Sequence, residues 1–244
     1  THNNIGNFWL SPSGDGFSET CTTMNDGTCA EPYIINSNNI DDNPLALPNI
    51  LSCGDTINQP GQYELTESVS QTSYNCVTIE VPDVVIDCNG YTMQGTHGTG
   101  VGIQRALSEG PIDNITIKNC NIEGFEMGIF PVNVQSSLFE NNNISDSLYA
   151  IMISTNGHES YDNIFRNNII SSDFSFSING PNEIYGNTFY NNIINATTHL
   201  DTLSGLGSNS FTHNNIGNFW LSPSGDGFSQ TCTPEGDGTC VESY

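Results

Sequence analysis

Polar and apolar residues alternate over short stretches along most of the chain, and no stretch sustains the 3.6-residue period of an amphipathic helix. Residues 50–79 carry the strand-type runs QYELTES and NCVTIEV, separated by Gly, Pro and Asn. From Val84 onward one pattern recurs: VVIDCNGY, TIKNCNI, LFENNNI, IFRNNII, TFYNNII and SFTHNNI stack as lines of a single column. With the apolar residues Ile86, Ile117, Phe139, Phe165, Phe189 and Phe211 as origin, the steps are 31, 22, 26, 24 and 22 residues. Coils of about two dozen residues, each with three short strands and each stacked roughly 4.8 Å above the last, describe a parallel β-helix.

The columns beside the origin assign roles. Three residues on stand Asn89, Cys120, Asn142, Asn168, Asn192 and Asn214, and their Asn side chains are expected to form a hydrogen-bonded ladder inside the turns. Five residues on, Tyr91, Ile122, Ile144, Ile170, Ile194 and Ile216 form a second apolar column. Burying each Phe or Ile contributes roughly 1.5–3 kcal/mol, so these columns supply much of the core. The residues just after the origin, Asp87, Lys118, Glu140, Arg166, Tyr190 and Thr212, point outward by strand alternation. The first four alternate in sign and can pair between coils. The longer first step holds TMQGTHGTGVGIQRALSEG, which reads as a Gly-rich turn, since no G-K-[ST] accompanies it.

A coarser repeat lies above the coils. THNNIGNFWLSPSGDGFSETCTTMNDGTCAEPY at 1–33 returns as THNNIGNFWLSPSGDGFSQTCTPEGDGTCVESY at 212–244, with 27 of 33 positions identical at a period of 211 residues. The expected organisation is therefore tandem 211-residue units, with both ends excerpted from a longer array or left by processing of a precursor. Residues 1–33 are the terminal coil and disulfide loop of one unit, 34–49 a connecting loop, 50–221 the solenoid of the next, and 212–244 the second terminal coil and loop.

Composition narrows the partners. Three Lys and Arg against 27 Asp and Glu give a formal charge of −24, which disfavours nucleic acid and anionic membrane surfaces. No run reaches the roughly 18 apolar residues of a membrane span. Eight cysteines suit an oxidising compartment. Cys21 with Cys29 and Cys232 with Cys240 share a spacing of eight, and Cys53 with Cys76 and Cys88 with Cys120 complete the count. No C-x-x-C or His-containing cluster supports zinc. Sequons at Asn114, Asn143 and Asn195 agree with glycosylation and an extracellular or cell-surface location.

The stacked N-N-x-I coils resemble the right-handed β-helix repeats of NosD-like and pectin-lyase-like (CASH-type) proteins. GNFWLSPSGDGFSETC, followed by NDGTCAEPYIINSNNIDDNPL, is similar to the terminal motif of archaeal and bacterial NosD-like surface proteins. SCGDTINQPGQYELT, followed by CVTIEVPDVVIDCNGYTMQG, is similar to their opening coils. The resemblance spans nearly the whole chain and implies an all-β, right-handed parallel β-helix. It implies little about function, because that fold hosts enzymes, adhesins and passive scaffolds. Relatives often carry a D-x-D-G-D-G loop suggestive of calcium coordination. The corresponding acids here are Asp26 and Glu31 in the first copy and Glu235, Asp237 and Glu242 in the second, with Asp15 and Asp226 in the adjacent SGDG turns. Calcium is the one cofactor this implies.

Catalysis is not expected. The basic residues are Arg105, Lys118 and Arg166 alone, while Asp113, Asp146, Asp162 and Asp173 stand at different offsets with no motif joining them. His2, His97, His158, His199 and His213 show no ligand spacing, and Trp9 and Trp220 read as packing residues at the ends of coils. The expected role is structural: a segment of an extracellular tandem-repeat filament, stalk or surface fibre. Its partners would be further copies of itself, as a covalent array or a head-to-tail polymer, and glycans. The second expectation is carbohydrate binding or processing along the solenoid flank.

Overall fold

Asn, Asp and Gly tolerate the left-handed backbone region better than other residues, and the chain uses them to end its strands. The computed structural model describes residues 7–13, 15–22, 24, 27–71, 74–96, 98–107, 110–180, 183–202, 208–214 and 216–233. Positive φ angles recur at Asn119, Asn141, Asn167 and Asn191 after each origin strand, and at Asn114, Ser136, Asp162 and Gly186 before it. Each such residue turns the chain through a corner, so successive strands stack on earlier coils.

The result is a parallel β-helix. On one face Asn49–Ile50, Gly61–Glu64, Val84–Asp87, Ile115–Lys118, Leu138–Glu140, Ile164–Arg166 and Thr188–Tyr190 form a seven-stranded parallel sheet in chain order. A second face stacks Thr92–Gln94, Asn121–Glu123 and Asn143–Ser145. A third stacks Asn75–Ile79, Val101–Arg105, Met127–Phe130 and Tyr149–Ser154. Ile169–Asn179 and Ile193–Thr202 run straight through the corner between these two faces and join them into one sheet.

Strand register makes Ile86, Ile117, Phe139, Phe165 and Phe189 direct partners. Phe139, Phe165, Phe189 and Phe211 stack at successive ring separations of 4.6, 4.8 and 4.9 Å, close to the spacing of the strands that carry them. Beside them the ladder runs from Asn142 through Asn168 and Asn192 to Asn218, each Nδ2 donating to the next Oδ1 at 3.1, 3.0 and 2.8 Å.

Both ends of two expected columns are displaced. Asn89 is exposed and donates to Leu65 O and Glu64 instead of joining the ladder. Asn214 has a positive φ and yields its ladder place to Asn218. Tyr91 and Ile216, 39% and 47% exposed, likewise yield the second apolar column to Met93 and Trp220. The cause is corner length. Asn89 and Gly90 add a tight turn closed by Tyr91 N–H to Cys88 O at 2.8 Å, while His213 and Ile216 exchange backbone hydrogen bonds and loop out four residues.

Outside the origin column, Lys118 pairs with Asp87 at 3.2 Å and Arg166 with Glu140 at 2.7 Å. Lys118 turns to Asp87 and leaves Glu140 to Arg166, so the expected middle pair is not made. Burial pushes the Asp87 carboxyl up, but hydrogen bonds from Asn119, the Asn89 N–H and Lys118 hold it below its ordinary value. The Gly-rich stretch is not only a turn: Val101–Arg105 is a regular strand. Gly102 lies there because a Cβ would come within 2.5 Å of Gly128 O. Arg105 is buried, its guanidinium donating to the carbonyls of Ala106 and Gly110. The expected connecting loop, 34–49, is partly occupied by an antiparallel hairpin, Tyr33–Asn36 with Asn39–Asp41, that begins one residue before it.

Disulfides join Cys21 to Cys29, Cys53 to Cys76 and Cys88 to Cys120. Cys232 is also disulfide-bonded, and Cys240 lies outside the described residues. Such bonds place the chain in an oxidising, non-cytoplasmic environment. Among the described residues no helix is long and apolar enough to cross a membrane.

Candidate functional site

Where both copies of the duplicated segment are described, they fold the same way. In the first copy Trp9 N–H donates to Ser18 Oγ at 2.7 Å; in the second Trp220 N–H donates to Ser229 Oγ at 2.9 Å. Glu19 Oε2 accepts from the N–H groups of Ser11 and Gly16 at 2.9 and 2.8 Å. Gln230 Oε1 accepts from Ser222 and Gly227 at 2.8 and 2.9 Å. One side-chain oxygen suffices for this bridge, which explains why Glu and Gln exchange between the copies. Each segment continues into a one-turn helix, Phe17–Thr20 or Phe228–Thr231.

The surroundings of the two copies differ. Phe219–Leu221 pairs in parallel with Ile193–Asn195, Trp220 is 5% exposed, and Asn218 completes the ladder. Trp9 instead packs on Tyr33 at 4.6 Å, Tyr33 in turn packs on Phe17 at 5.0 Å, and the Trp9 indole N–H donates to Asp41 at 2.9 Å. Phe8–Leu10 belongs to no strand, and the N–H groups of Phe8 and Leu10 make no hydrogen bond among the described residues.

The acids expected to hold calcium lie around these caps. Asp15 Oδ1 accepts from the hydroxyls of Ser11 and Ser13, and Asp226 Oδ1 from those of Ser222 and Ser224 at 2.6 and 2.5 Å. Those hydroxyls hold both carboxyls below the ordinary carboxylate range. Glu31 is exposed, while Asp26, Glu235, Asp237 and Glu242 lie outside the described residues. Among the described residues no three His, Cys, Asp or Glu side chains gather to hold a metal.

A second feature lies on the flank. An open cleft of about 730 Å³ runs across several coils, lined by Asp146, Ser147, Leu148, Ser171, Ser172 and Asp173, with Asn195 and Thr197 above and Gly98 and Pro223 at its ends. Asp146 N–H donates to Ser171 O at 3.0 Å, and Asp173 N–H to Ser147 O at 3.3 Å, so the two acids sit on adjacent coils. Asp113 and Asp162 do not line it. Asn195, a sequon residue, is half-buried there. Asn143 is exposed at the start of its strand, and Asn114 is exposed with its amide donating to Asp83 at 2.6 Å.

Sequence columns did not find this cleft, because Asp146 lies seven residues past Phe139 and Asp173 eight past Phe165. They also missed a second buried ladder, Asn163 to Asn187 to Asn209, with Nδ2 to Oδ1 separations of 2.9 and 3.0 Å. Its signal was present two residues before Phe165, Phe189 and Phe211, with Ser137 in that place before Phe139. No protein-family model, curated protein or solved structure matches the chain.

Proposed function

We propose that the chain is a structural segment of an extracellular tandem-repeat filament, stalk or surface fibre. One observation carries this reading: within the repeated segment, the described residues from Asn218 to Ser229 close the last coil of the solenoid at one end, and those from Asn7 to Ser18 hold the same hydrogen-bonded cap at the other. A cap that recurs at a fixed sequence interval with fixed local geometry lets each unit continue into the next without a flexible linker. Stacked coils then add nearest-neighbour stability along one axis. The role is non-catalytic and mechanical, and occupied sequons and calcium at the cap loops would add protection from outside.

A recombinant chain in which residues 34–244 follow residue 244 once more tests this. Small-angle scattering should show a maximum dimension roughly doubled over one unit with the same cross-section, as a one-dimensional array requires. Two bodies tumbling independently about a hinge would overturn the reading.

The flank cleft favours a second reading, carbohydrate binding or processing at a cell surface. Hydroxyls, an amide and two carboxylates on a shallow floor can share hydrogen bonds with sugar hydroxyls, and the carboxylates favour neutral or amino sugars over uronates. Immobilised chain should retain such a polysaccharide, and Asp146→Asn with Asp173→Asn should lower retention at least about tenfold, the effect of losing roughly 1.4 kcal/mol. No retention and no release of reducing ends removes this reading.

A further inference from the structure

We infer that Asn7–Leu10 is a docking edge for the end coil of a second copy of this chain, an inference that rests on the filament reading and names its contact. The segment Asn7–Ser18 is identical to Asn218–Ser229, and the latter is seen seated: Phe219, Trp220 and Leu221 lie opposite Ile193, Ile194 and Asn195. Phe219 N–H donates to Asn192 O at 2.8 Å, and Asn218 receives Asn192 Nδ2. The first copy holds the same local shape, and among the described residues no strand lies along this edge. The N–H groups of Phe8 and Leu10 make no hydrogen bond among the described residues, Leu10 is 58% exposed, and Asn7 is exposed with its N–H and Nδ2 donating to Asp41 at 3.0 and 3.2 Å, which leaves its Oδ1 to accept.

An unpaired strand edge recruits another strand through its main chain, and the side chains set the register. The register here is given by the seated copy: Phe8 against Ile193, Trp9 against Ile194 and Leu10 against Asn195 of the second chain. Asn7 takes the ladder place of Asn218 and receives the amide of the second chain's Asn192. That coil is already covered within its own chain by Phe219–Leu221, so separate chains dock by exchange. The segment at 7–22 of one chain replaces the segment at 218–233 of another. In dilute solution the tethered segment holds the site through its high effective concentration, and weakening it opens the coil to the second chain.

The test uses full-length chains. The unsubstituted chain should sediment as a monomer at micromolar concentration. With Asn218→Ala and Trp220→Ala, the mass should rise with concentration in multiples of the monomer, and adding Asn7→Ala and Trp9→Ala should return it to the monomer. A photo-crosslinking side chain at position 8 of the otherwise unsubstituted chain, at high concentration, should join residues 193–195 of a second chain, as read by peptide mass spectrometry. This arm does not depend on the alanine variants folding. A doubly substituted chain that stays monomeric, oligomers that persist without Asn7 and Trp9, or crosslinks that fall elsewhere would each overturn the inference. A straight two-unit chain alongside any of those results would remove only this contact and leave the filament reading standing.

Discussion

Asn168→Ala should lower the unfolding free energy by about 3–5 kcal/mol, read as a lower urea midpoint at unchanged slope. The side chain has no solvent exposure and uses all four of its hydrogen-bonding positions. Its Nδ2 donates to Phe139 O and to Asn192 Oδ1, both at 3.0 Å. Its Oδ1 accepts from Asn142 N–H at 3.0 Å and Asn142 Nδ2 at 3.1 Å. Alanine leaves the Phe139 carbonyl and the Asn142 N–H in an apolar interior without this partner, at roughly 1–3 kcal/mol for each orphan. Asn168→Asp should be worse at neutral pH, because a carboxylate oxygen would face the Phe139 carbonyl and Asn192 Oδ1. A loss below about 1 kcal/mol for Asn168→Ala, the net value of one ordinary hydrogen bond, would mean that the ladder is dispensable.

Phe165→Ala should cost a similar amount, about 3–5 kcal/mol. The ring is fully buried between Phe139 at 4.6 Å and Phe189 at 4.8 Å, with Phe176 edge-on at 6.0 Å. Collapse into the cavity is restricted, because each neighbouring ring is fixed to its own coil at the strand spacing. Phe165→Leu keeps most of the apolar volume and should cost less than about 1.5 kcal/mol. The two variants, compared by calorimetry, separate loss of volume from loss of ring stacking. Equal losses for Ala and Leu would show that aromatic stacking, rather than filled space, holds this column.

These two residues also show where the fold was legible. Phe165 and Asn168 lie in the middle of the solenoid, where each coil turns its corner after the origin strand with the single left-handed residue Asn141, Asn167 or Asn191. Counting from the origin there gives the true strand register, so the Phe stack, the ladder through Asn142, Asn168 and Asn192, and the outward Glu140–Arg166 pair could all be read from spacing. Asn89, Tyr91, Asn214 and Ile216 were misplaced for the complementary reason. The corners beside them hold two and four extra residues, and an offset in sequence does not reveal a residue that loops out.

The sequence by itself determined that this is a parallel β-helix, which residues stack at its centre, and that one 33-residue segment occurs twice. Periodicity records those features because stacking requires the same side chain at the same place in every coil. Only the tertiary structure decided that Asn218 and Trp220 close the two columns, that Asp146 and Asp173 share a cleft, and that one copy of the repeated segment is seated on a coil while the other has no strand beside it among the described residues. Those depend on corner lengths and on what lies across a neighbouring coil. Two identical stretches of sequence carry no record of which of them has a strand beside it.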